Sequence, residues 1–264
     1  LTNLRGLRTL TDDWINYIRE KQFDAIIPGS DYDLIPLAGA KPWLKAEDVN
    51  VLVSDLDLVQ ACYDKSLTTK LLRENNLPYP QFQALNYPHI VKPKHGSGSV
   101  GMRIVRNSED KRIAFNELGD NYFQQEYLGG PEYTCSVFCD KDGEVIQTFM
   151  LERDLWYGVT KYAKVCFIRE VDELLRNIGA KLRPTGPLNV QLRMTERGPI
   201  PFELNCRCSG TTAIRAYYGY NEPDMMIRHF VLGRDITCDP KRAGEAYRYW
   251  NEYFEGERRI SAWV

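Results

Sequence analysis

Apolar and polar positions alternate most sharply over residues 187–210, PLNVQLRMTERGPIPFELNCRCSG. Side chains alternate faces along a strand. Leu188, Val190, Leu192 and Met194 therefore share one face of a first strand, and Ile200, Phe202, Leu204 and Cys206 one face of a second. Thr195-Glu196-Arg197-Gly198 supplies the turn, and both apolar rows are expected to bury against one core. The opposite face carries Asn189, Gln191 and Arg193, then Pro201, Glu203, Asn205 and Arg207. A half-buried antiparallel hairpin would give this pattern. Asn, however, is disfavoured in strands, so the polar row departs from a plain solvated face.

The same patterning places the other elements. Residues 11–22 read as an amphipathic helix with Trp14, Ile15 and Ile18 apolar and Thr11 placed to cap it. Residues 23–28 form a short buried strand, 32–38 a helix and 49–54 a second buried strand. Such alternation argues for a parallel sheet with covering helices. Residues 56–76 are helical in character, with Asp64-Lys65-Ser66 at a helix start, and Pro78 and Pro80 end them. Strands follow at 87–93, 101–106, 122–128, 132–140 and 144–152, interrupted by a helix at 108–118. Asp142-Gly143 is a hairpin turn signal between the last two strands. A strand at 162–168 and a helix at 171–182 precede the hairpin. Short helices at 211–218 and 222–232 come after it, and the aromatic, charged stretch 247–264 is expected to pack on the surface.

Composition narrows the picture. The 264 residues can bury a sizeable core as one large domain or several small ones. The net charge of −2 and the lack of basic runs give no sign of nucleic acid, and no apolar run is long enough to span a bilayer. Seven cysteines, an odd number without disulfide-framework spacing, fit free thiols in a reducing, cytoplasmic compartment. Cys206-x-Cys208 and Cys135-x-x-x-Cys139 lack the usual two-residue zinc spacing and read as buried structural thiols.

Three stretches carry candidate chemistry. On the hairpin, Glu203 and Asn205 lie two residues apart, so their Cα atoms are roughly 6.5–7 Å apart on one side. With Gln191 from the partner strand they offer oxygens to a hard cation such as Mg²⁺. Arg207 comes next on that face and can hold an anion beside the metal. Upstream, strand HIVKP runs into Lys94-His95-Gly96-Ser97-Gly98-Ser99-Val100-Gly101. These glycines match G-x-G-x-x-G, but a dinucleotide fingerprint needs a helix to begin inside the motif. The residues that follow are strand-like, so the loop reads as a flap whose N–H groups close over phosphates. Lys92, on the entering strand, can reach a phosphate as a point charge. Third, Gln124-Gln125-Glu126-Tyr127-Leu128 can present backbone groups to an adenine edge, and Glu132 can accept from ribose hydroxyls.

The order of these elements resembles the ATP-grasp superfamily, in the branch of the carbamoyl-phosphate synthase large subunit and related carboxylate–amine ligases. The resemblance spans residues 20–250. It implies an α/β (α+β) fold in which two antiparallel sheets sandwich ATP. It implies a partial Rossmann-like domain at 1–62, whose first strands are missing, then a small subdomain with the glycine flap at 63–128 and a C-terminal subdomain with the metal hairpin at 129–264. By motif, Lys65, Lys92, Ser97 and Gly98 would bind the phosphates of ATP. Glu126, Tyr127 and Leu128 would meet adenine through backbone groups, and Glu132 would hold the ribose. Gln191, Glu203 and Asn205 would ligate Mg²⁺, or Mn²⁺ in its place. Arg207 would stabilise the transferring phosphoryl group. Arg153, with Gly158-Val159-Thr160, lies where related ligases place a substrate- or phosphate-facing segment. Where family members often carry Glu, this chain has Val159.

The implied reaction is ATP-dependent joining of a small carboxylic acid and an amine, amino acids among the candidates, through an acyl-phosphate. A bicarbonate-activating module and a non-catalytic nucleotide-binding subunit are the rival readings. The loops at 156–161 and 208–218 are expected to set specificity. A homodimer, or a partner supplying the missing strands, would fit the short N-terminal region.

Overall fold

The computed structural model describes residues 10–96 and 98–249. Helix α1 (Asp12–Lys21) follows Thr11, which sits at the cap position but makes no side-chain cap bond. Strands β1 (Ala25–Ile26) and β2 (Asn50–Val51) pair in parallel, as their buried apolar runs predicted. The helix between them, α2 (Asp31–Ala46), runs well past its expected end and through Pro36 and Pro42. Its far half buries Leu44 completely, and that packing outweighs the lost backbone bonds. The helical stretch 56–76 is two helices, α3 (Leu56–Tyr63) and α4 (Lys65–Glu74), the second starting at Asp64-Lys65-Ser66 as expected. The break is Asp64, whose extended backbone lets its carboxylate accept from Ser66 N and Leu67 N and cap α4.

Two antiparallel sheets follow. The smaller has the order β4-β3-β5, from β3 (His89–Pro93), β4 (Arg103–Val105) and β5 (Tyr122–Glu126). Helix α5 (Ser108–Leu118) covers its outer face, where Val91, Val105 and Ala114 are fully buried together. The larger sheet comprises β6 (Glu132–Cys139), β7 (Val145–Trp156), β8 (Val159–Val165), β9 (Gly186–Thr195), β10 (Gly198–Asn205) and β11 (Gly244–Tyr247). Its order is β10-β9-β6-β7-β8-β11. One face buries Cys135, Val137, Leu188, Val190, Leu192 and Leu204 against α6 (Arg169–Leu182) and the N-terminal helices. The other buries Phe138, Phe149 and Leu151 beneath α8 (Glu222–Met226) and the π-helical turn Ile227–Val231. Helix α7 (Thr212–Tyr217) leads into α8.

Two further expectations need correcting. First, strict alternation along β10 does not hold, because the register shifts between Pro201 and Glu203. Glu203 faces Gln191 and Leu204 faces Val190, whereas Ile200 pairs with Arg193 and Pro201 with Leu192. Ile200 therefore leaves the Leu204 row, Pro201 leaves the Glu203 row, and the extra residue is Phe202. Second, the stretch 156–161 is not a loop. β7 continues to Trp156 and β8 begins at Val159, joined by Tyr157 and Gly158, both at positive φ. The stretch from 250 onward, expected to pack on the surface, lies outside the described residues.

Candidate active site

A cleft of about 270 Å³ separates the two sheets. Its roof is the inner face of β3, β4 and β5, with the flap between β3 and β4. Residues paired across a sheet share a face, so the pairings Ile90–Ile104 and Ile90–Gln125 put all three on this roof. Lys92, two residues along from Ile90, points the same way. The floor is the upper part of the large sheet, with Glu132, Arg153, Gln191, Arg193 and Glu203. Phe202, released by the bulge, also lines the cleft, and the Lys92 ammonium lies 5.8 Å from its ring centroid.

Lys92 is 6% exposed, with no carboxylate within ion-pair distance among the described residues. Burial pulls its pKa down to about 8, against the pull of Glu203 and with the repulsion of Lys65. Lys65 begins α4 and donates from Nζ to Gly96 O at 2.7 Å, while its backbone N–H donates to Lys94 O. The Lys65 ammonium is thus tied to the flap's base, and Lys92 lies on the strand that enters the flap. His95, a flap residue, stacks on Tyr63 and lies 3.3 Å from Asp64. Gly98 lines the cleft, and Ser97 lies outside the described residues.

At the end of β5 the cleft wall is Gln125, Tyr127 and Leu128. The Glu126 side chain turns away, accepting from Gln81 N and Arg197 Nη2. Gln125 is 3% exposed and its Oε1 has no hydrogen-bond partner among the described residues. The alternation of β5 places this side chain toward the cleft, whereas the sequence pointed only to the backbone of this stretch. The chain then turns at Gly129-Gly130. Gly130 has φ +91°, and a Cβ there would lie 1.9 Å from Met194 O, so only glycine lets this corner close on β9.

The corner delivers Glu132 to the floor between two guanidinium groups. Glu132 Oε1 accepts from Arg153 Nη2 at 2.8 Å and Oε2 from Arg193 Nη2 at 2.7 Å. Arg153 also donates to Gln191 Oε1 at 2.9 Å. Gln191 Nε2 and Asn205 Nδ2 then converge on Glu203 Oε1 at 3.4 and 3.1 Å. The three residues expected to hold a metal are therefore in one cluster. Their oxygens, one carboxylate and two amides, are of the kind Mg²⁺ takes. Among the described residues no group of three or more His, Cys, Asp or Glu forms another metal site, and all seven cysteines are free.

Arg207 has a partner that the sequence did not reveal. β10 ends at Asn205, and the Arg207 N–H turns back to Asn205 O. The guanidinium forks onto Asp31 at the start of α2, with both contacts at 2.6 Å. The two residues are 176 positions apart, beyond any local signal. A small cavity of about 20 Å³ lies beside the cleft, bounded by Asp31, Tyr32, Cys62, Tyr63, Lys65, Gly96, Glu203 and Asn205. Lys65, Gly96 and Glu203 border both spaces.

The tip of the β7–β8 hairpin reaches the flap. A Cβ on Gly158 would lie 2.2 Å from Gly98 O, so the two backbones touch. Gly158 and Leu155 line the cleft with Arg153, whereas Val159 and Thr160 are not part of its wall.

The model of a family described as ATP-grasp in the biosynthetic pathway with Ter operon matches residues 120–252, half of the chain and most of the floor. The D-alanine–D-alanine ligase of Clostridium botulinum is 28% identical over 110 residues, 40% of this chain and 36% of that protein. The 3-methyl-D-ornithine–L-lysine ligase of Methanosarcina acetivorans is 24% identical over 217 residues, 81% of this chain and 58% of that protein. The chain thus spans between about a third and three fifths of these relatives' lengths. Among solved structures, N5-carboxyaminoimidazole synthetase from Staphylococcus aureus, complexed with ADP, superposes with a TM-score of 0.71 at 14% identity, over 90% of this chain and 67% of that one.

Proposed function

The chain belongs to the ATP-grasp family of the biosynthetic pathway with Ter operon, and from that premise we propose that it is the ATP-binding part of a carboxylate–amine ligase. Its γ-phosphoryl acceptor is a small carboxylic acid, and an amine then displaces phosphate from the acyl-phosphate. The observation that carries this reading is the shared border of Lys65, Gly96 and Glu203. A nucleotide in the cleft would place its terminal phosphate there, with the acceptor's carboxylate approaching from the side of the small cavity.

Each group then has work to do. Lys65, Lys92 and the flap around Gly98 neutralise phosphate charge; phosphoryl transfer needs mainly such positioning and charge compensation. Gln125 Oε1 accepts from the adenine amino group, beside the backbone of Glu126, Tyr127 and Leu128. Glu132, held by Arg153 and Arg193, accepts from the ribose hydroxyls. Gln191, Glu203 and Asn205 hold Mg²⁺, which supplies further charge neutralisation at the phosphates when bound. Arg153 steadies Gln191 from beside the metal cluster. Asp31, held by Arg207, borders the small cavity and marks the acceptor's side of the site. Residues 10–62 serve as a Rossmann-like region that bounds the small cavity through Asp31, Tyr32 and Cys62.

The test is ADP release with Mg²⁺-ATP against amino acids and small carboxylic acids, singly and in pairs, with bicarbonate as a separate arm. ADP formed only with an acid and an amine together is the expected result. Glu203→Ala and Asn205→Ala should each lower the rate by about 100-fold or more, the scale of losing a charge-stabilising group. Unchanged turnover in both variants would overturn the metal assignment. ADP formed with bicarbonate alone would replace the organic acid by carbonate chemistry.

A further inference from the structure

The Cys62 and Cys206 sulfurs stand 3.5 Å apart, although 144 residues separate them in sequence. Cys62 lies in the last turn of α3. Cys206 follows β10, between the metal-cluster residue Asn205 and the Asp31-bound Arg207. Both side chains are buried, at 4% and 3% exposure. Cys62 nevertheless lines the small cavity beside the cleft. That cavity, at about 20 Å³, has room for one water-sized molecule. It is the one thiol–thiol contact among the described residues, and the proposed ligase chemistry uses neither sulfur.

We propose that Cys62 and Cys206 are an oxidation site, joined into a reversible disulfide by hydrogen peroxide entering the cavity, and that the crosslink disables the metal cluster. The first sulfur attacks the peroxide: an S–O bond forms, the O–O bond breaks, and the leaving hydroxide takes the thiol proton as water. The second sulfur then attacks the sulfenic acid. The S–S bond forms, the S–O bond breaks, and a second water leaves with the second thiol proton. The two sulfurs are oxidised, and the peroxide oxygens are reduced. A dithiol reverses the step by exchange.

The crosslink would matter because of what flanks it. A disulfide requires the sulfurs to close by about 1.5 Å. Cys206 would carry the adjacent Asn205 and Arg207 with it, disturbing the metal oxygens and the Asp31 pair. The hydrogen bond with Cys206, then burial, pushes the Cys62 thiol well above its ordinary pKa. Little thiolate is present, so oxidation is slow and needs sustained exposure.

The formation of the bond is independent of the ligase reading, and only its consequence rests on that reading. The experiment treats the full chain with hydrogen peroxide, then maps disulfides by peptide mass spectrometry without reduction. The melting-temperature rise given by Mg²⁺-ATP is measured on the same samples, before oxidation, after it and after dithiothreitol. We expect a Cys62–Cys206 crosslinked peptide lighter by two hydrogens. The Mg²⁺-ATP shift should fall to less than about half and return on reduction. Cys62→Ser and Cys206→Ser, each compared with itself before and after peroxide, should keep whatever shift they start with. Seven free thiols after treatment, or a crosslink between other cysteines, would overturn the site. A Cys62–Cys206 crosslink that leaves the shift untouched would overturn its effect on the cluster. Absence of any Mg²⁺-ATP shift before oxidation would instead count against the nucleotide reading, leaving the crosslink to be judged by mass.

Discussion

At the scale of single residues, Lys92 joins burial to function. Its ammonium is enclosed between the flap and Phe202, and burial brings its pKa to about 8. A phosphate arriving in the cleft would supply the missing counter-charge and favour the protonated form. Binding should therefore take up a proton above pH 8. Affinity for ATP is expected to hold steady from pH 6.5 to 7.5 and to weaken above pH 8, approaching about tenfold per pH unit. Isothermal titration across that range, in buffers of different ionisation enthalpy, would show the proton uptake directly. Lys92→Met should bind more weakly at pH 7 and lose the dependence. A wild-type affinity flat to pH 9.5 would show that Lys92 does not meet the phosphates.

At the scale of elements, the flap and the β7–β8 hairpin act on each other. Gly158 has φ +76°, and a Cβ there would meet the Gly98 carbonyl. Gly158→Ala strains the turn by about 1 kcal/mol and also pushes the flap outward. The expected result is an apparent KM for ATP raised by between about 10- and 100-fold, with only a small drop in thermal stability. Tyr157→Ala, at an 89% exposed neighbour, should change neither. An equal, mild effect of both variants would mean that the contact is incidental. This contact also marks where sequence reading stopped. The periodic elements and the order of the candidate residues were legible, because alternation and turn chemistry are local. So were Gln191, Glu203 and Asn205 as a cluster, since a hairpin brings near neighbours together. The β10 bulge was not: one inserted residue reverses a strand's faces without any compositional mark, and it turned Phe202 into the cleft. Asp31 was hidden for another reason. Its partnership with Arg207 depends on how α2 meets the hairpin's end, which no local pattern encodes.

At the scale of the molecule, one face of the large sheet changes character along its length, and that change locates the site. Its lower part is packed under α8, and its upper part is the cleft floor. Between them lies a buried ion pair, Arg215–Glu222, with both side chains fully enclosed. Glu222 Oε1 accepts from Arg215 Nη1 and Ser136 Oγ at 2.7 Å each, and Oε2 accepts from Thr212 Oγ1. Arg215 Nη2 in turn donates to Asn189 Oδ1 at 2.7 Å and to Cys135 O. Asn189 is the cross-strand partner of Asn205, so the pair underpins the strand position of a residue of the proposed metal cluster. Breaking one member leaves an uncompensated charge in the interior, and Glu222→Gln is expected to cost about 3–5 kcal/mol in urea unfolding. Replacing both, as Arg215→Met with Glu222→Leu, removes the stranded charge and should recover at least half of that loss. The double variant separates stability from placement. If the pair only stabilises the fold, the recovered protein should bind Mg²⁺-ATP as before. If it also sets the height of Asn189 beneath the cluster, the Mg²⁺ concentration for half-maximal ATP binding should stay raised by several-fold after stability returns. The direct bond from Arg215 to Asn189 argues for the second outcome. Near-wild-type Mg²⁺ dependence in the double variant would assign the pair to packing alone.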